Sequence, residues 1–216
     1  MTRRAMLPLP SGPADSYESR LNAQLNKEIG DIKDELQQIG WEDTLADISA
    51  GRAVGVNAPA WTVFRNGISG YAFSASQMNE VWVNVHVTHN WRIGSKYYPH
   101  IHWSCATAPT AGQKVHFGIE YTVCKGHNQE AWPASTTITI EPTVSAVQYQ
   151  HMITECSDTQ AIPITEVDSV ILMRVYRDPT QAADNCAQLV FMFFVDCHYQ
   201  VDRFLGTPQK APNFYK

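Results

Sequence analysis

The sequence predicts a mainly β protein: an antiparallel β-sandwich of jelly-roll type, preceded by a short N-terminal α-helical coiled-coil stem. Two observations lead to this prediction. Between residues 80 and 205, apolar side chains recur at every second position, as in strands with one buried face. A helical period occurs only in residues 16–40, which excludes the alternating strands and helices of dinucleotide-binding folds. At 216 residues, the chain is long enough for one large domain and an appendage.

The first 40 residues predict an arm followed by a helix. Residues 1–15 hold three prolines and no regular period, which indicates an extended arm that docks on another protein. Ser16 suits the N-cap of a helix and Gly40 suits its end. The apolar side chains between them follow spacings of three and four residues: Leu21, Leu25, Ile29, Ile32, Leu36 and Ile39.

The spacing after Leu25 is that of a coiled coil, in which an apolar seam repeats every 3.5 residues. Isoleucine at both core positions, as at Ile29 and Ile32, favours a coiled coil of three helices. A helix this short is marginal in water without a partner. We therefore expect a homotrimeric stem over residues 16–40. The alternative is an amphipathic helix that packs on its own domain.

Residues 41–79 predict a connector that is folded against the rest of the protein. The segment is rich in Gly, Ala, Ser and Asn, which favours turns at residues 65–67 and 69–70 with short strands around them. A free linker would not carry the aromatic side chains that are spread through it: Trp41, Trp61, Phe64, Tyr71 and Phe73.

Residues 80–205 predict a β-sandwich knob of seven or eight strands, followed by a C-terminal tail at 206–216. In residues 80–91, alternate positions place four valines on one face: Val81, Val83, Val85 and Val87. The other strand-like segments are residues 97–105, 114–124, 135–141, 146–155, 169–177 and 188–201.

One of these strands is apolar on both faces. Residues 189–195 read LVFMFFV, which predicts a strand that is covered on both sides. A two-layer sandwich covers only one face, so we expect the outer cover to come from a neighbouring subunit. Charged residues make up only 17% of the chain, against about 25% in typical globular proteins, which agrees with extensive subunit contacts.

A pair of histidines is the strongest candidate site. His100 and His102 are two residues apart, so a strand presents both imidazoles on one face. With His198 on a distant strand they could hold a metal ion, as in a cupin-like enzyme. The further polar candidates on strands are His86, His116, Glu120 and Asp196. The cupin pattern, however, places a Glu shortly after the pair, and here the first acid is Glu120. In a trimer, three such pairs on the symmetry axis could instead bind one octahedral ion. Without any metal, the histidines would form hydrogen bonds in a polar seam or subunit interface.

Other functional classes leave no signature in the sequence. A net charge of −5 gives no basic surface for nucleic acid, and no apolar run approaches the ~20 residues of a membrane span. G-x-S-x-G, glycine-rich phosphate-loop and H-E-x-x-H motifs are absent, so we predict no catalytic residues and no cofactor. Five cysteines without a C-x-x-C pair favour buried thiols and synthesis in a reducing cytosol.

Five stretches occur in a distinctive order between residues 41 and 206. They are WEDTLADI (41–48), YPHIHW (98–103), FGIEYTV (117–123), MRVYRDPTQAAD (173–184) and VDCHYQVDRFLG (195–206). In this order the chain resembles a family of structural proteins of tailed bacteriophages, in which an HIHW segment, a G-x-E-Y-T strand, an R-x-x-R-D turn and a D-x-H-Y-x-x-D strand follow one another. The resemblance implies a virion component that is homotrimeric and has no catalytic activity.

Together, these observations predict a non-enzymatic structural protein of a tailed-phage virion, made in the host cytoplasm. The trimeric knob on its stem would serve as a tail needle, tail fibre or head fibre. Its partners would be other virion proteins and a host-surface glycan, and folding and assembly would form one transition. The alternatives are a capsid decoration protein that clamps capsomers through the arm, a cupin-like metal-dependent enzyme, and a carbohydrate-binding module that uses exposed Tyr and Trp.

Overall fold

A computed structural model describes residues 16–36, 39–126 and 130–202. The predicted arm (1–15) and tail (206–216) lie outside these residues. The described chain is mainly β, with one α-helix, one 3-10 turn and eleven strands. In chain order these are α1 (Tyr17–Leu36), β1 (Ile39–Thr44), the 3-10 turn η1 (Ile48–Ala50), β2 (Ala60–Arg65), β3 (Ile68–Phe73), β4 (Asn79–His86), β5 (Lys96–Cys105), β6 (Phe117–Cys124), β7 (Thr136–Ile140), β8 (Met152–Glu155), β9 (Ile162–Pro163), β10 (Val170–Arg177) and β11 (Val190–Asp202).

The strands form two antiparallel sheets. The larger sheet has seven strands in the order β2-β3-β11-β5-β8, with β1 paired to β11 and β9 paired to β5. The smaller sheet has the order β4-β10-β6-β7. From β3 to β6 the chain passes to the other sheet with each successive strand. The result is the predicted mainly β, two-sheet architecture.

The core lies between the sheets and follows the alternation of the sequence. All four valines of the predicted strand 80–91 are buried, and their neighbours Asn84 and His86 are exposed. Trp103 of β5 and Phe117 at the start of β6 are fully buried, with ring centroids 5.3 Å apart in an edge-to-face contact. All five cysteines are free and buried, as the sequence indicates.

The helix begins where the sequence predicts and ends earlier. The Oγ of Ser16 accepts a hydrogen bond from the backbone N–H of Ser19 (3.1 Å), which is the geometry of an N-cap. Helix α1 ends at Leu36, however, and the expected extension to Gly40 is wrong. Ile39, predicted in the helical stem, lies in β1 opposite Asp202 of β11, because the 39–44 backbone pairs along this long strand.

Helix α1 keeps its apolar stripe exposed. The exposed fractions lie between 43% and 55% for four of the predicted stem residues: Leu21, Leu25, Ile29 and Ile32. The alternative of a helix packed on its own domain therefore finds no support in the described residues. Within that same part of the chain, no helix has the length and apolarity that a membrane crossing requires.

The predicted connector belongs to the larger sheet. Residues 41–79 contain most of β1 and all of β2 and β3, so the sheets begin at Ile39 rather than at residue 80. The turn at 65–67 is confirmed, and Asn66 takes a left-handed φ of 53° there. The turn expected at Ser69 and Gly70 is wrong, because both residues lie in β3.

The chain itself covers part of the outer face of β11. The ring of Phe64 on β2 lies 5.0 Å from that of Phe191 and 5.1 Å from that of Phe193. Tyr149, from the β7–β8 connection, packs edge-on against Phe64 at 5.3 Å. The expectation that this face needs a neighbouring subunit is therefore wrong at Phe191, which is 1% exposed, whereas Phe194 remains 36% exposed.

The RDPTQAAD turn is held by a buried ion pair. Arg177 at the end of β10 is 0% exposed, and its Nε and Nη2 donate to the two carboxylate oxygens of Asp184 at 2.8 and 2.9 Å. The guanidinium also donates to the carbonyls of Gln188 and Cys186. Asp184 in turn accepts the backbone N–H of His116 at 3.1 Å. Arg177 and Asp184 therefore have a structural role in this turn.

Candidate functional site

The outer face of the larger sheet carries a group of histidines and acids, here named the histidine cluster. Its members come from β1, β5, β8, β11 and the residue before β8: Asp43, His100, His102, His151, Glu155, Asp196 and His198. Antiparallel pairing sets His100 opposite Asp196 on one side and opposite Glu155 on the other. Because alternate side chains face opposite ways, Ile101 between the two histidines points into the core.

The centre of the cluster is a buried carboxylate between two imidazoles. His100 and Asp196 are 1% and 4% exposed. The Oδ2 of Asp196 lies 3.4 Å from Nε2 of His102 and 3.8 Å from Nε2 of His100. The other oxygen, Oδ1, is buried without a hydrogen-bond partner among the described residues. A buried ionised carboxylate in this state needs a positively charged partner.

Burial sets the protonation of these groups. It raises the pKa of Asp196 to about 6, and the charge of Asp43 adds to the effect. Burial, and next the nearby His198, lower the pKa of His100 to about 4. The pKa of His102 is also lowered, by burial and then by His151. At pH 7 both imidazoles are therefore neutral and carry a lone pair, while Asp196 is mostly ionised.

His198 occupies a different position in the cluster. Its ring stacks on that of His100, with centroids 4.0 Å apart. Its Nε2 lies 3.0 Å from Oδ1 of Asp43, and its Nδ1 is hydrogen-bonded to Oε2 of Glu155. Both ring nitrogens thus face carboxylate oxygens, and neither is directed at Asp196.

The remaining ring nitrogens of the histidine pair also have partners. Nδ1 of His100 lies 3.5 Å from the carbonyl oxygen of Tyr98. Nδ1 of His102 lies 2.9 Å from Nε2 of His151, which comes from the residue before β8. When Nδ1 carries the proton in both rings, the two Nε2 lone pairs face Asp196.

A cleft of about 530 Å³ adjoins the cluster. Its lining combines aromatic, acidic and amide side chains: Trp41, Tyr98, Glu155, Asp158, His198 and Gln200. Trp41 and Tyr98 meet edge to face with ring centroids 5.6 Å apart, and Trp41 is 54% exposed. An exposed ring beside carboxylates and an amide provides both a stacking surface and hydrogen-bond partners for a polar ligand.

The fold brings together the three histidines that the sequence singles out. His100 and His102 share one face of β5, as predicted, and His198 lies beside them, though its nitrogens are held by two acids. Sequence reasoning counted Asp196 only among further polar residues and missed His151 and Asp43 altogether. A usable signal exists: Asp196 and His198 repeat the i, i+2 spacing of the histidine pair on another mainly apolar strand.

Other polar candidates lie elsewhere in the fold. The Nε2 atoms of His86 and His89 lie 3.4 Å and 2.6 Å from the Asp168 carboxylate. His116, just before β6, pairs with Glu141 at 2.9 Å. These pairs are local contacts of two or three residues, and none belongs to the histidine cluster.

Comparisons with known proteins add little to this description. No protein-family model and no curated protein matches the chain. Dimeric latent PorU from Porphyromonas gingivalis is similar at a TM-score of 0.33 and 14% identity, over 76% of this chain and 13% of PorU. The arabinose-bound α-L-arabinofuranosidase MgGH51 is similar at a TM-score of 0.29 and 14% identity, over 76% of this chain and 23% of the enzyme. A carbohydrate-binding module specific for non-crystalline cellulose, CBM28, is similar at a TM-score of 0.26 and 12% identity, over 67% of this chain and 78% of the module.

Similarities at these TM-scores carry no argument about function. The chain also spans only a small part of the first two proteins, 13% and 23% of their lengths. The fold and the site define a two-sheet antiparallel β protein with a histidine–carboxylate cluster on one outer face.

Proposed function

We propose that this protein is a non-enzymatic structural component of a tailed-phage virion that assembles as a homotrimer through α1. The observation that carries the proposal is the apolar stripe of α1, whose leucines and isoleucines stay about half exposed in the single chain. The placement in a virion rests on the order of the five sequence stretches described above.

The stripe of α1 is suited to packing against identical helices. Leu25, Ile29 and Ile32 follow the four- and three-residue spacing of a coiled-coil seam, and the helix of 20 residues is about 30 Å long. A helix of this length gains most of its stability from tertiary or quaternary packing of its apolar face. Burying this face among three copies would supply that packing.

The strand order supports the jelly-roll part of the proposal. Eight strands divide into β3-β11-β5-β8 and β4-β10-β6-β7, and among these eight the chain crosses between the sheets at every step except from β6 to β7. Double-sheet jelly rolls occur in viral capsid proteins, lectins and cupins, so the architecture agrees with a virion protein by analogy. A capsid decoration protein remains the alternative placement within the same class.

The oligomeric state tests the assembly. Sedimentation equilibrium of the full chain is expected to give three times the 24.2 kDa chain mass. Ile29→Asp places a charge in the stripe and should give monomers. Ala23→Asp adds the same charge away from the stripe and should leave the trimer intact. A monomeric wild-type chain, or equal effects of both substitutions, would contradict the proposal.

Particle labelling tests the location. Phage particles from the strain that carries the coding sequence are purified and labelled with antibodies raised against the β-sandwich. Labelling at the tail or the head vertices is expected for a fibre or needle, and labelling over the whole capsid indicates a decoration protein. Purified particles that lack the protein would overturn the virion assignment.

A second candidate function is glycan contact at the cleft, favoured by the exposed Trp41 beside Glu155, Asp158 and Gln200. Glycan-array screening of the full chain, followed by calorimetry, tests it. Trp41→Ala should abolish binding, since stacking on an aromatic ring is lost. The matched control is Trp61→Ala, because Trp61 is 55% exposed and also pairs with a tyrosine at 4.9 Å. If both variants still bind the glycan, the cleft is not the glycan-binding site.

A further inference from the structure

The ligand atoms of the histidine cluster have the spacing of a metal site. A tetrahedral Zn²⁺ ion holds nitrogen and oxygen ligands at about 2.0–2.2 Å, which places two ligand atoms about 3.3 Å from each other. Nε2 of His102 and Oδ2 of Asp196 lie 3.4 Å apart. The separation from Nε2 of His100 to the same oxygen is 3.8 Å, about 0.5 Å longer than this ideal, and the ligand atoms of the three residues all lie within 4.8 Å of one another.

The buried carboxylate supplies a second, independent reason for a cation. Asp196 is 4% exposed, and its Oδ1 has no hydrogen-bond partner in the described part of the chain. The basic groups that face its Oδ2 are the two imidazoles of His100 and His102, and no Lys or Arg of the described residues pairs with it. A divalent ion at Oδ2 would supply the missing positive charge.

The second ring nitrogen of His100 has an outer contact typical of metal-binding histidines, and that of His102 contacts another imidazole. Such histidines donate the second N–H to a carbonyl, a carboxylate or water, which fixes the ring and leaves Nε2 free for the ion. Nδ1 of His100 faces the Tyr98 carbonyl, and Nδ1 of His102 faces Nε2 of His151 at 2.9 Å. Both rings are thus oriented before an ion binds.

We propose that His100, His102 and Asp196 bind one divalent transition-metal ion of the zinc type. The site joins β5 to β11 on the outer face of the larger sheet, and water occupies the fourth ligand position. His198 is not a ligand, because Asp43 and Glu155 hold its two nitrogens. All three ligands come from one chain, so the site needs no symmetry axis. This inference does not depend on the virion assignment.

The test begins with the full-length wild-type protein, stripped of metal and titrated with ZnCl₂ in a calorimeter. One Zn²⁺ per chain is expected, together with a higher thermal midpoint, because an ion that binds the folded state alone stabilises it. X-ray absorption at the zinc edge should show two imidazoles and oxygen ligands. Absence of stoichiometric binding, or a spectrum with no imidazole or with three, would overturn the proposal.

Four substitutions locate the site. Asp196→Asn and His102→Gln remove a ligand at nearly constant volume and should weaken Zn²⁺ binding by more than about 100-fold. His198→Gln tests the neighbouring group of Asp43, His100 and His198, which could also gather around an ion. His116→Gln is the matched control outside the cluster. Unchanged binding in Asp196→Asn and His102→Gln, or loss in His198→Gln alone, would contradict the assignment. If a variant fails to fold, the absorption spectrum of the wild type still decides.

Discussion

At the scale of single residues, Gly118 shows how one position controls a surface cluster. It lies on β6 directly opposite Tyr176 of β10, whose ring crosses the space where a side chain would be. A Cβ built on Gly118 would lie 2.0 Å from Cζ of that ring. The same ring lies 4.7 Å beneath the guanidinium of Arg174, which pairs with Glu80 and Glu120. Glycine at this position therefore leaves the space that the Tyr176 ring occupies beneath Arg174.

We predict that Gly118→Ala lowers the free energy of unfolding by about 1–3 kcal/mol, because the methyl group forces the Tyr176 ring out of place. Urea denaturation measures the change. Gly67→Ala serves as the control, since nothing lies within 4 Å of a Cβ at that turn, and it should cost well under 1 kcal/mol. Equal midpoints for Gly118→Ala and wild type would show that the ring moves without cost.

Two arginines on β10 allow a comparison of a fully buried ion pair with partly exposed ones. Arg177→Lys keeps the charge but loses the two-pronged contact with Asp184 inside the protein, so it should cost about 3 kcal/mol or more. Arg174→Lys acts at a side chain that is 29% exposed and should cost about 1 kcal/mol or less. The free energies of unfolding measure both. A larger loss of unfolding free energy for Arg174→Lys than for Arg177→Lys would contradict this ranking.

At the scale of secondary-structure elements, local sequence patterns predicted most strands. They failed where the structure of a segment depends on the strand with which it pairs. Strand β4 followed from its valines and α1 from its seam, because both signals lie within one segment. The end of α1 did not follow, since Ile39 continues the seam spacing but pairs with β11, which is far away in sequence. Short strands were expected in residues 41–79, but their bounds were not, and the turn expected at Ser69 and Gly70 lies inside β3.

Truncations separate the two elements at this boundary. A chain beginning at Gln37 retains β1 and should unfold in urea with the same midpoint for the sandwich as wild type. A chain beginning at Asp47 lacks β1, and with it the hydrogen bond from the Tyr199 hydroxyl to Glu42 (3.0 Å) and the ladder along β11. We expect that chain to be destabilised by several kcal/mol, because buried ladder and core groups lose their partners. Equal midpoints for the two truncations would make β1 dispensable.

At the scale of the whole molecule, the histidine cluster could be predicted only in part. His100 and His102 are visible in one segment, because their spacing of two is a local property. Asp43 and Asp196 join them only through the order of strands in the larger sheet. A single sequence does not reveal that pairing. The third ligand predicted from the sequence was therefore His198, whereas the geometry favours Asp196, two residues earlier.

The burial of the sandwich core and the exposure of the α1 stripe predict which part of the chain folds alone and which part takes part in the proposed assembly. The core of the sandwich is complete within one chain, as Phe73, Trp103 and Phe117 are each 0% exposed. The stripe of α1, in contrast, is half exposed. The proposed assembly would therefore depend on the helix, whereas folding of the sandwich would not, and the single transition expected from the sequence should separate into two.

Thermal melts at protein concentrations about 100-fold apart test this division, because mass action shifts only a transition that includes association. The helical signal in far-ultraviolet circular dichroism should melt at a higher temperature in the concentrated sample. Tryptophan fluorescence, which reports buried residues such as Trp103, should keep its midpoint. Ile29→Asp should remove the concentration dependence and leave the fluorescence transition unchanged. If both signals shift together in the wild type, the sandwich is stable only within the assembly.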